Sequence, residues 1–131
     1  MEFALVAPAL FILIFGAAEF GILLSENLTL SNATIAGAQQ FASSAGLDPT
    51  PYDDAVSAVQ TGAPALNLTK SQISLTVNGT ACTTNATCVS ALQPGTGYVT
   101  VTTTYSCAAL NIVFNLLPNC TLTSQESERV Q

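Results

Sequence analysis

Phe3 to Ala18 is a run of sixteen residues without a charge, F-A-L-V-A-P-A-L-F-I-L-I-F-G-A-A, and it constrains the chain more than any other feature. As a helix it spans ~24 Å. Glu19 interrupts it and Phe20 to Leu24 resumes it, so the apolar segment through Leu24 reaches ~33 Å, close to the ~30 Å hydrocarbon core of a bilayer. Apolar residues fall on every face, so no single stripe is set aside for a soluble core. Such a helix belongs in lipid or in the middle of an assembly. Composition agrees: 49% of the residues are apolar and 8% are charged, where soluble domains carry about a quarter.

Two Lys+Arg against eight Asp+Glu leave a net charge of −6. That argues against a nucleic-acid partner, which needs cations against phosphates. The chain has no His, which removes imidazole acid–base chemistry and His metal sites together. A secretory signal peptide competes for the apolar run, with Gly16-Ala17-Ala18 as small residues for cleavage. Its start should be basic, however, and Met1-Glu2 is acidic. One explanation is that a basic leader has been removed and Met1 is not the initiator.

Beyond Leu24 the segment turns polar with small apolar residues, and the helix is expected to run on. Leu28, Ile35 and Ala42, with Leu30, Ala38, Phe41 and Ala45, form the expected stripe. Gly46 suits the position after the helix end, and Asp48-Pro49 stops it. One helix of about 45 residues would be nearly 70 Å long, a spine rather than part of a small globule. Thr50 is expected to cap a second helix, with Pro51 at its first position, Asp53 and Asp54 in its first turn and Gly62 at its end. Then β-branched residues take over. Ile73, Leu75 and Val77 alternate with polar residues before an Asn78-Gly79 turn. Tyr98–Tyr105 reads as a clear strand, Thr121–Val130 as a weaker one, and Asn111–Pro118 as an apolar connection packing on the head or a neighbour. The expected fold class is α+β: a spine helix over residues 1–46 and, over 47–131, a head with a short helix and a small antiparallel sheet.

Cys82, Cys88, Cys107 and Cys120 all lie in the head. Their spacing contains no C-x2-C pair and there is no His, so zinc is not expected. An even count in a small exported domain reads as disulfides. Of the possible pairings, proximity favours Cys82–Cys88 and Cys107–Cys120. Six N-x-T sequons, at Asn27, Asn32, Asn67, Asn78, Asn85 and Asn119, suit either a polar extracellular surface or N-glycosylation. Asn119 is the poorest acceptor of the set, because Cys120 is its middle residue.

The N-terminus carries a family resemblance. Glu2-Phe3-Ala4-Leu5-Val6-Ala7-Pro8, an apolar stretch and then Glu19-Phe20-Gly21 resemble the start of TadE-like pilins, which reads V-E-F-A-L-V-x-P and later E-F-G. Ala36-Gly37-Ala38-Gln39 stands where that family has E-G-A-R. Val99–Tyr105, Leu116-Leu117-Pro118, Leu122-Thr123 and Glu128-Arg129-Val130 are similar to its closing strand and end. Ile22 replaces the usual basic residue after E-F-G, and the E-G-A-R charges are gone, which implies a more deeply packed helix. The resemblance implies a subunit of a tight-adherence, type IV-like pilus. Its implied partners are copies of itself in a helical filament, a prepilin peptidase, the pilus assembly machinery and the inner membrane before assembly. Its implied location is the cytoplasmic membrane, then an extracellular filament. The motif glutamate is fifth in mature type IV pilins and second here.

The residues expected to carry assembly are Glu2, Glu19, Phe3, Pro8, Gly16 and Gly21. A carboxylate at the edge of an apolar run is costly to bury unpaired. Glu2 therefore pairs with a neighbouring subunit's N-terminal amine or sits at the membrane–water interface. Glu19, ~26 Å along the helix, either reaches the opposite interface or bonds between subunits. Gly16 and Gly21 allow close helix approach, and Pro8 removes one backbone donor. No catalytic set is expected. Asp53 and Asp54 point about 100° apart on a helix, the serines have no His, and neither cofactor nor metal is implied. The alternative to a pilin is a single-pass membrane-anchored surface glycoprotein that binds a partner through its head.

Overall fold

A computed structural model describes residues 3–95, 97–107 and 120–131, with backbone alone for 3–5. Phe3–Ser43 form one helix, α1, ~62 Å long at 1.5 Å per residue. It passes through Pro8, near its start, without a break. It ends in a turn where Gly46 takes φ +70°, a backbone region open to glycine at no steric cost.

Only the second half of α1 enters the head. Leu30, Ala33, Ala38, Phe41, Ala42 and Ala45 are buried, along with Thr34. Leu30, Ala38, Phe41, Ala42 and Ala45 of the expected stripe are thus buried, and two members are corrected: Leu28 is 58% exposed and Ile35 is half-buried. The buried face narrows to small residues at Ala33 and Gly37, where a second helix crosses. That helix, α2, is Pro51–Gly62 and buries Pro51, Ala55, Val56 and Val59. A Cβ on Gly37 would overlap Val59 Cγ2, and one on Gly62 would fall 2.9 Å from Ala33 Cα. The two glycines let the helix axes approach closely.

Pro51 starts α2 and Asp53 and Asp54 lie in its first turn, where carboxylates favour the dipole. Thr50 holds the N-cap position, but its side chain accepts no capping bond. Its hydroxyl instead donates to Asp54 Oδ2 (2.8 Å), and its amide donates to Asp48 Oδ1 (2.9 Å). The free amides of the first turn are taken from elsewhere: Asn85 Oδ1 accepts from Tyr52 (2.9 Å) and Asp53 (3.1 Å).

The sheet has four antiparallel strands in the order β2-β1-β3-β4, with β1 Ile73–Val77, β2 Thr80–Cys82, β3 Tyr98–Ser106 and β4 Thr121–Arg129. The β1–β2 hairpin closes at Val77↔Thr80 through Asn78 and Gly79, both at positive φ (50° and 80°), the primed turn that matches strand twist. Leu75 pairs with Val101, and Val77 with Val99. One sheet face (Ile73, Leu75, Val77, Val99, Val101, Thr103) is buried, with α1 packed across β3 and β4 and α2 on α1. The facing residues of outer strand β4 are Leu122, Ser124, Glu126 and Glu128, all half-buried. The Thr34 hydroxyl donates to the Leu30 carbonyl (2.8 Å) and lies 3.1 Å from that of Thr103, joining helix to sheet in the core.

A short helix absent from the expected fold, α3 over Asn85–Ala91, is opened by a capping box of Thr84 and Thr87. The disulfides are Cys82–Cys88 and Cys107–Cys120. The first ties β2 to α3. The second closes the β3–β4 connection, where the Cys107 amide also donates to the Cys120 carbonyl (3.2 Å). Asn111–Pro118 lie outside the described residues.

Candidate assembly helix

The apolar first half of α1 contributes no buried residue among the described ones. An 18-residue window with mean hydropathy 2.2 is 0% buried. Val6, Leu10, Phe11, Ile12, Leu13, Ile14, Phe15, Phe20, Ile22 and Leu24 are all exposed in the isolated subunit. Phe11 and Phe15, one turn apart, stack on each other with ring centroids 6.2 Å apart. Gly16 and Gly21 have open space where a Cβ would be, so nothing inside the subunit calls for glycine there. Pro8 is exposed. Glu2 and Asn119 fall outside the described residues, and for Phe3 only the helical backbone is described.

Glu19 is half-buried, and its Oε1 is closed off with no hydrogen-bond partner. Glu26 repeats that condition: Oε2 is closed off without a partner. Seven residues separate the two, which puts both on one face of α1 about two turns apart. That face, continued, becomes the buried stripe of Leu30, Ala33 and Gly37. The sequence reading passed over Glu26, although its seven-residue spacing from Glu19 was there to be read. Tyr105 at the end of β3 lies beside Glu26. Burial pushes its phenol up from the ordinary value, and the Glu26 charge adds to that.

The sequon asparagines divide into two groups. Asn27, Asn32 and Asn67 are exposed, and none of their side chains is used in the fold among the described residues. Asn78 Oδ1 accepts from the Tyr98 amide (3.0 Å). Asn85 is the most committed: besides holding the start of α2, its Nδ2 donates to Asp53 Oδ2 (2.7 Å). Asp53 also takes Lys70 Nζ at 2.6 Å. The Lys70 hydrogen bond, then that of Asn85, holds the Asp53 carboxyl below its ordinary value. The same contact lifts the Lys70 ammonium above its own. Asp53, Lys70 and Asn85 thus form a clasp joining α2, α3 and the turn before β1.

No curated protein and no solved structure matches the chain. Residues 1–39 match the family model described as TadE-like protein, and from Phe3 onward that stretch lies in α1.

Proposed function

We propose that the chain is a structural subunit of an extracellular tight-adherence, type IV-like pilus, with its apolar helix in the filament core and its disulfide-bonded head outside. One observation carries this reading: an 18-residue apolar window of α1 holds no buried residue in the subunit, yet the helix continues unbroken into the head core. Burying apolar area is worth roughly 25 cal/mol per Å², so this surface must be covered. Lipid covers it before assembly and neighbouring copies cover it afterwards. Glu2 pairs with the N-terminal amine of a neighbour in the filament, which would set axial register. A prepilin peptidase and the pilus assembly machinery are the implied partners.

Shearing filaments from cells and weighing their protein content tests the reading. This chain should dominate the sheared fraction or be required for it. A chain confined to membranes, with filaments unchanged by its deletion, would favour a membrane-anchored surface protein acting through its head.

A further inference from the structure

The chain has two basic side chains, and one of them is already engaged, since Lys70 is held by Asp53. The other, Arg129, is exposed at the end of β4 and makes no ion pair among the described residues. At the opposite end of the head, Glu26 is half-buried with one carboxylate oxygen closed off and unpartnered. Each subunit therefore presents an unmatched cation at one end of its head and an unmatched carboxylate at the other.

The fold sets their separation along α1. β4 climbs beside α1 in the same direction. At its start, Leu122 pairs with Tyr105, the neighbour of Glu26. Next, Ser124 pairs with Thr103, which is bonded to Thr34. Near its end, Glu128 shares a groove with Ala36, Gln39, Gln40 and Ser43. Arg129 thus stands near the level of Gln40. From Glu26 to Gln40 is ~21 Å of helix, and from Leu122 to Arg129 is ~23 Å of strand. The two measures agree on an offset of about 20 Å along α1.

We infer that Arg129 of one copy pairs with Glu26 of a second copy displaced by that offset along the α1 axis. The inference rests on the filament reading above. A contact between two different patches adds copies without closing on itself unless the rotation makes a ring, which is what an open filament needs. Charge balance supports the same choice of occupant. Copies bearing −6 each repel when stacked, and Arg129 is the one side-chain cation left to offset this across an interface. Half-buried and beside Tyr105, the Glu26 carboxylate is less screened than the exposed Asp53–Lys70 pair.

The test is a charge swap in the full chain, with membrane abundance and sheared-filament yield read together. Glu26→Arg and Arg129→Glu should each lower filament yield about tenfold or more, as like charges across an interface do, at unchanged membrane abundance. The double swap should restore it. Single reversals at wild-type yield, or a double swap that restores nothing, would overturn the pairing while wild-type filaments keep the filament reading intact. Absence of any filament from the wild type would overturn both. Should Glu26→Arg fail to accumulate, Glu26→Gln and Arg129→Gln decide. Equal losses with no further loss in the double variant support the pair, and additive losses overturn it.

Discussion

Gly37 on α1 faces Val59 on α2 so closely that a Cβ on the glycine would overlap Val59 Cγ2 and lie 3.3 Å from the Ala55 carbonyl oxygen. Val59 is fully buried and has no free direction in which to yield. Two effects oppose each other in Gly37→Ala. Alanine favours a helix interior by about 1 kcal/mol, and overpacking a closed core costs about 1–3 kcal/mol. Because one of the crowded atoms is backbone, overpacking wins.

Gly37→Ala should therefore lower the stability of the head by about 1–2 kcal/mol, read by denaturant unfolding of the full chain in detergent. Gly16→Ala and Gly21→Ala meet nothing inside the subunit and should leave that midpoint unchanged. A Gly37→Ala head as stable as the wild type would mean that α2 moves freely over α1.

The same crossing shows where the sequence was legible. The spine, the Asn78-Gly79 hairpin and the Tyr98 strand are local features, each written in a run of residues, and they were readable. The inward face of α1 was legible in part: Leu30, Ala38, Phe41, Ala42 and Ala45 of the expected stripe are buried, while Leu28 is 58% exposed. Ala33 and Gly37, which the stripe left out, are buried by the close approach of α2, a tertiary fact. Asn85 makes the same point. As part of N-A-T it reads as a glycan acceptor, while its partners Tyr52 and Asp53 lie 33 and 32 residues away and nothing local announces them. The long apolar helix itself was legible, because what marks it is one uncharged run that no tertiary contact overrides.

Asn85→Ala should destabilise the head by about 1 kcal/mol, the usual worth of a side chain that accepts first-turn amides. Two helix amides and one Asp53 oxygen lose a partner together. Asn85→Asp keeps the acceptor but places a second carboxylate against Asp53, and should be no better. Thermal unfolding of the full chain checks both; an unchanged Asn85→Ala midpoint would show that water replaces the side chain at no cost.

Asp53 makes stability depend on acid. Its folded value is held below the ordinary one by Lys70 first and Asn85 second. The contribution is therefore present above the ordinary carboxylate range and is lost as pH falls through that range to the folded value. Lys70 is shifted up, so its contribution is full below the ordinary lysine range and fades as pH rises through its folded value. Asp53→Asn should flatten the acid branch of a melting-temperature curve. Since the two side chains are 62% and 49% exposed, the difference from wild type should be small and should shrink in high salt. Acid branches that superimpose at low salt would remove Asp53 from the account.

Glu2 and Glu19 offer a test that separates insertion from assembly. In the filament reading, Glu2 pairs with a neighbour's N-terminal amine, and Gln keeps its shape but cannot neutralise an ammonium in apolar surroundings. Breaking a buried pair on one side costs about 3–5 kcal/mol, repeated at every subunit, so Glu2→Gln should block filament growth while the subunit stays in the membrane. Glu19 differs, because one of its oxygens is already closed off without a partner inside the subunit. If a neighbour supplies that partner, Glu19→Gln lowers filament yield. If no bond forms between chains, removing its charge leaves yield unchanged or raises it. Membrane abundance and sheared-filament yield, measured together for both variants, decide the matter. Normal filaments from Glu2→Gln would reduce Glu2 to an interfacial group, and loss of that variant from the membrane would place its role in insertion or leader processing instead.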